Sequence, residues 1–248
     1  MSGEPAKPEE YSVEFVPAAH VRLCRERIAQ ARERAGERVG VAPQHFDSGY
    51  WEAWFEANAE ETLARFPDIT LAPGYQVRYR CFGQAGNDLH VRPFVARSGT
   101  PVDHVRRLLQ WHPPPDSMKV QERAAPTQDV ELLYNRFSFP RTAEGYFQYW
   151  VVMQELWASA RWAYSHVVAS AEELTQLLQG QGWQLHREVE RCEPAVVRHG
   201  NGASLAVLVH CPLQRFEVAL HRIEIDPQQA IHYEDSILVA SGPRGYIL

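Results

Sequence analysis

The chain reads as an α+β protein with N-terminal helices carrying a β-hairpin, a long central helix, and a C-terminal four-stranded antiparallel sheet. Three observations predict this. Apolar residues recur at three- and four-residue spacing in several long segments, as in helices that bury one face. Residues 76–97 alternate apolar and polar around a Gly-Asn turn, the pattern of a half-buried hairpin. From Trp183 on, four β-rich runs are separated by turn signals at Gly200-Asn201-Gly202 and Asp226-Pro227, and such short links imply antiparallel neighbours.

Taken in order, residues 1–10 are polar with two prolines and read as a flexible tail, leaving 11–248 as a compact α+β domain. A length of 248 residues is near the upper limit for one core. The best internal boundary lies near 112–127, where Pro113-Pro114-Pro115 is stiff and extended. Tyr11 to Val16 suits a short edge strand. Pro17 suits the first position of a helix over 17–38, with Val21, Cys24, Ile28, Ala31 and Ala35 on one face. Arg22, Glu26, Arg27, Glu33, Arg34 and Glu37 fall on the other. Asp47 is placed to cap a helix over 48–66 whose inner stripe is Trp51, Phe55, Ala59, Leu63 and Phe66.

Pro67-Asp68 stops that helix, and Pro73-Gly74 turns the chain into the hairpin. Thr100-Pro101-Val102-Asp103 predicts a further helix start, with Val105, Leu108 and Leu109 inward. Residues 128–138 fit helix and strand equally well. A helix over 143–169 carries the widest apolar surface, with Tyr146, Trp150, Met153, Trp157, Ala160 and Tyr164 in one stripe. Ser170-Ala171-Glu172-Glu173 is a capping box for a short helix after it. The expected sheet strands are 183–191, 203–211, 215–225 and 231–239. In the third, Val218 and Leu220 have opposite parity to Ile223 and Ile225, which predicts a β-bulge near His221-Arg222.

The net charge of −6 is unevenly spread. Residues 76–110 carry six arginines against Asp88 and Asp103, net +4, while the segments on either side are acidic. Overall acidity disfavours non-specific duplex DNA binding, and a local anion site within the basic segment stays open. Strand alternation puts Val77, Tyr79 and Cys81 on one hairpin face, with Arg78, Arg80 and Phe82 on the other. Keeping apolar residues together sets Arg80 beside Arg92 and Arg78 beside Phe94, with His90 on the same face and the loop at Ala85-Gly86-Asn87. Opposed arginines repel, so this face needs an anion or carboxylates from elsewhere in the chain. One reading makes Arg78, Arg80, His90, Arg92, Phe82 and Phe94 a ligand-binding face. The competing one satisfies the arginines with glutamates of the helices over 17–38 or 48–66.

Other chemistry is sparse. His45-Phe46-Asp47 has the HxD spacing of two iron ligands, but Asp47 is already explained as a cap. Glu224, Asp226, Glu234 and Asp235 could gather at a strand end, and Cys192 and Cys211 could be neighbours on adjacent strands. No set reaches metal-site spacing, so no metal, cofactor or catalytic residue is assigned. The sequence lacks a GxxxxGK[ST] loop, a GxGxxG turn after a strand and a GxSxG elbow. Scattered cysteines, an N-terminus without an apolar leader pattern and the lack of a long apolar run predict a cytoplasmic chain with no membrane partner. The expectation is a non-catalytic binding protein, of accessory or neutraliser type. It would recognise an anionic ligand or a partner macromolecule through the hairpin face. The alternative is an enzyme, hydrolytic or nucleotide-processing, using arginine and histidine around the same hairpin.

Overall fold

The computed structural model describes residues 12–42, 47–82, 90–101, 130–131, 133–157, 166–179, 182–211 and 217–242. The tail, the hairpin loop, His45-Phe46, the helix expected after Pro101 and the boundary at 112–127 lie outside these residues.

The first helices follow the sequence pattern closely. α1 (Ala18–Val39) buries Val21, Cys24, Ile28, Ala31 and Ala35, the predicted stripe. α2 (Ser48–Arg65) is capped by Asp47, whose carboxylate accepts from the Gly49 and Tyr50 amides. Its buried face is more polar than expected. Glu52, Asn58 and Thr62 are buried along with Phe55, Ala57 and Ala59, whereas Trp51 and Leu63 are only half-buried. The hairpin consists of β3 (Tyr75–Phe82) and β4 (His90–Arg97), after the short β1 (Val13–Phe15) and β2 (Thr70–Leu71). Its register is the predicted one, with Arg78 opposite Phe94 and Arg80 opposite Arg92.

Residues 130–138 combine both expected forms. β5 (Val130–Glu131) adds to β4, a 3-10 turn occupies Leu133–Arg136, and β6 (Phe137–Ser138) pairs with β2. The central helix is shorter than predicted. α3 spans Ala143–Leu156, and His166–Val167 form a strand, β7, instead of a last helical turn. β7 pairs with Val209 and His210, beyond the end of β9 (Ala195–His199) on the same edge of β10 (Gly202–Cys211). Backbone groups left there need partners, and β7 supplies them, with Val168 N donating to Leu208 O over 2.8 Å. A helix apolar on nearly every side carries no periodic signal of where it ends.

The C-terminal sheet has seven strands, not four, in the order β1-β9-β10-β11-β12-β8, with β7 also on β10. β11 is Glu217–Ile225 and β12 is Ile231–Ser241. The run predicted as a long strand over 183–191 contributes only β8 (Gln184–Leu185). The extra strands are two or three residues at the margins, plus β9, which takes the place beside β10 across the Gly200-Asn201 turn. The parity change in β11 needs no bulge in β11, because both faces of the sheet are covered. Ile223 and Ile225 join Leu205 and Val207 in the main core with α1, α2 and α3. Val218 and Leu220 join Leu208 and Val239 in a second cluster under α4 (Ala171–Leu178). The ladder between β10 and β11 is continuous, but the pairing of β11 with β12 shifts register at Val218/Ala219 and at Arg222/Ile223, the second beside the predicted position and with the extra residue on β12.

α3 is joined to the sheet through its aromatic tips. Tyr146 Oη donates to Asn201 O in one turn, Tyr149 Oη to Gln229 O in another, and Trp150 Nε1 to the Tyr233 hydroxyl. Each ring buries apolar area while its polar end reaches a partner. The first turn of α3 approaches Pro140 so closely that a Cβ at Gly145 would lie 2.0 Å from the Pro140 carbonyl oxygen. Between the helices, the buried Glu155 carboxylate accepts from Arg32 Nε at 2.9 Å, Arg32 Nη2 at 2.6 Å and Asn58 Nδ2 at 2.7 Å. Removing Glu155 takes the acceptor from the buried Asn58 amide and the ion-pair partner from Arg32. Glu155→Ala is therefore expected to lower unfolding free energy by roughly 3–5 kcal/mol, measured by denaturant titration. A loss under about 1 kcal/mol would mean the cluster contributes little.

Candidate functional site

The hairpin docks against α2. Strand β3 has β4 on one edge only, and its other edge meets α2. Glu52 Oε1 accepts from the Cys81 backbone N–H at 3.1 Å and from Arg80 Nη1 at 3.0 Å. Glu56 accepts from Arg78 Nε at 2.6 Å. The spacing explains the match. Two strand residues advance about 6.6 Å and four helical residues about 6 Å, so arginines at 80 and 78 meet glutamates at 52 and 56 in turn. Phe55, between the two glutamates, stacks on Tyr79 at 5.4 Å between ring centroids. The Tyr79 hydroxyl donates to Leu156 O, at the end of α3. An edge strand is thus covered by a helix that neutralises its charge.

The six predicted site residues therefore have different surroundings. Arg78 and Arg80 are ion-paired within the fold, with side chains 15% and 26% exposed. Phe94 is buried. Phe82 and His90 face each other at the open end of the ladder, and their side chains lie outside the described structure. Arg92 differs from all of these. It is half-buried opposite Arg80, and among the described residues no carboxylate or hydrogen-bond acceptor reaches its guanidinium. Burial lowers its pKa.

Spacing along the chain gave no indication of three other polar groups. The first is the Glu155 cluster. The signal for Glu52 and Glu56 was present as a four-residue interval on α2, but nothing local marks Asn58 or Glu155 as their neighbours. The second is a histidine pair. His166 Nε2 and His210 Nδ1 lie 3.3 Å apart on adjacent strands, and the buried His210 Nε2 has no hydrogen-bond partner among the described residues. Burial, then the neighbouring His166, brings His210 down to about 4, and burial and Arg25 lower His166. The third is Ser204, His199 and Glu224. Ser204 Oγ donates to Glu224 Oε2 at 2.7 Å, while His199 Nε2 lies 3.0 Å from Ser204 Oγ and 3.1 Å from Glu224 Oε1. Hydroxyl and carboxylate share one ring nitrogen, so the imidazole does not stand between them as a base held by an acid.

The remaining sequence candidates have ordinary partners. Asp226 accepts from the Ala230 amide and lies 3.0 Å from His232, and Asp235 is 3.9 Å from Arg222. Among the described residues, no three metal-binding side chains converge. Cys24, Cys81, Cys192 and Cys211 are free, and burial pushes Cys24 and Cys81 up to about 12, so both remain thiols.

Two tests separate structural from available charge. Arg80→Met removes the cation paired with the buried Glu52 carboxylate and is expected to cost about 2–3 kcal/mol. Arg92→Met removes an uncompensated cation and should leave stability unchanged or slightly raised. Equal losses in chemical denaturation would show that Arg92 also has a structural anion. The histidine pair sets a pH window. The folded value of about 4 for His210 lies below its ordinary 6.5, so the unfolded chain takes up the proton first. Its contribution is complete above pH 6.5 and is lost as pH falls toward about 4. Thermal melting should fall across that window, and His210→Phe should flatten the slope; an unchanged slope would assign the loss to other groups.

Comparison with protein-family profiles, curated proteins and solved structures yields no match for this chain.

Proposed function

We propose that this chain is a non-catalytic binding protein whose hairpin presents Arg92 to an anionic group, on a small ligand or on a partner macromolecule. The observation that carries this reading is the state of Arg92: half-buried, beside the like charge of Arg80, with no acceptor among the described residues. A cation in that position gains from any anion that reaches it, because partial desolvation strengthens the charge-assisted hydrogen bond. Arg80 is already held by Glu52, so it orients the strand, and Phe94 is too buried to offer a stacking surface. Recognition therefore rests on charge more than on aromatic stacking.

The free cysteines fit a reducing compartment, and cytoplasmic residence belongs to the same proposal. No helix among the described residues is long and apolar enough to cross a membrane. The enzyme reading calls for a pocket in which His90 or His221 meets a carboxylate and the hairpin arginines. His221 instead lies in the sheet, opposite Val207 and Ser236 and against the Tyr233 ring.

Isothermal titration with inorganic tripolyphosphate at low salt tests the proposal. Wild-type protein should bind, and Arg92→Gln should weaken binding about tenfold or more. Binding should also weaken as salt rises. Absence of binding by wild type, or equal binding by both proteins, would refute the assignment.

A further inference from the structure

A cavity of about 160 Å³ lies between α1 and α3, where both pack on β7 and β10. Its apolar wall includes Phe147, Trp150 and Val209, and its polar lining includes Arg25, Arg32, Glu155, Gln154 and His166. A cavity of about 150 Å³ accepts one benzene ring, which sets the size class of an occupant. The charges in the lining are already matched. Arg32 is held by both oxygens of Glu155. Arg25 is held by both oxygens of Glu173, at 3.0 and 2.8 Å, and by Val167 O. The polar groups left over are neutral. His166 uses Nε2 toward His210, while its Nδ1 and the Gln154 amide have no hydrogen-bond partner among the described residues.

We infer that this cavity is a binding site for a neutral, planar, single-ring molecule carrying a hydrogen-bonding group such as a carboxamide or a ring nitrogen. The ring lies against the aromatic wall, where Phe147 and Trp150 supply apolar and edge contacts. Its polar substituent meets Gln154 and His166, each able to donate or accept. An anion is disfavoured there, because Glu155 is in the lining and both arginines already have a carboxylate partner. That selectivity is opposite to the one proposed for Arg92, so the two sites take different ligands.

Benzamide, benzoate and benzene are suitable probes, one neutral and polar, one anionic, one without a polar group. Saturation-transfer NMR on the full chain should detect benzamide at about millimolar affinity or better. Benzoate and benzene should each bind about tenfold or more weakly. Ala29 lines the cavity from an exposed position on α1, so Ala29→Trp is expected to block the mouth while keeping the fold. In that variant benzamide binding should vanish and the tripolyphosphate titration should be unchanged. The inference is overturned if benzamide does not bind, if benzoate binds as well, or if Ala29→Trp binds benzamide normally. Failure of the tripolyphosphate titration alone would leave this site standing.

Discussion

Glu155 is 6% exposed, near the end of a helix whose other buried residues are largely apolar, and it faces the two helices that precede it in the chain. Its carboxylate takes two bonds from Arg32 of α1 and one from Asn58 of α2, so one side chain ties all three helices together. A buried carboxylate is costly unless such donors are held in place, and holding them sets the spacing and rotation of the helices. The remaining architecture is arranged around that fixed unit. α3 carries it to the sheet through Tyr146, Tyr149 and Trp150, while α2 carries it to the hairpin through Glu52 and Glu56.

The same constraint accounts for the two sites. Because α2 turns Glu52 and Glu56 toward β3, Arg78 and Arg80 are paired, while Arg92 lies on the neighbouring strand opposite Arg80. Because Arg32 is pulled toward Glu155 and Arg25 toward Glu173, their charge is spent inside the fold while their aliphatic stems flank a cavity. Polar pairing thus leaves the half-buried Arg92 without an acid among the described residues and a neutral pocket between α1 and α3, in separate places.

Much of the local structure was legible in the order of residues. The α1 stripe, the Asp47 cap, the Ser170 capping box and the Arg80–Arg92 register all depend on neighbours a few residues apart or on strict alternation. The length of α3 was not legible, since Val167 continues its apolar pattern and the edge of β10 beyond β9 takes His166–Val167 as a strand. β8 is shorter than its run of residues suggests, and β9 has no counterpart among the expected strands, for a related reason. Marginal strands are chosen by which backbone edge is vacant, and side-chain pattern does not record that.

Period, turn chemistry and net charge are local properties, so residue order alone specifies a mixture of helices and antiparallel strands with positive charge concentrated in one hairpin. Which hairpin arginines are paired follows from three-dimensional packing, because pairing depends on which acids come within about 3–4 Å across gaps of more than twenty residues. Burial of Glu155, Asn58 and His210 was decided in the same way. Nothing in a side chain's own neighbourhood along the chain tells whether its hydrogen-bond partners wait on another helix.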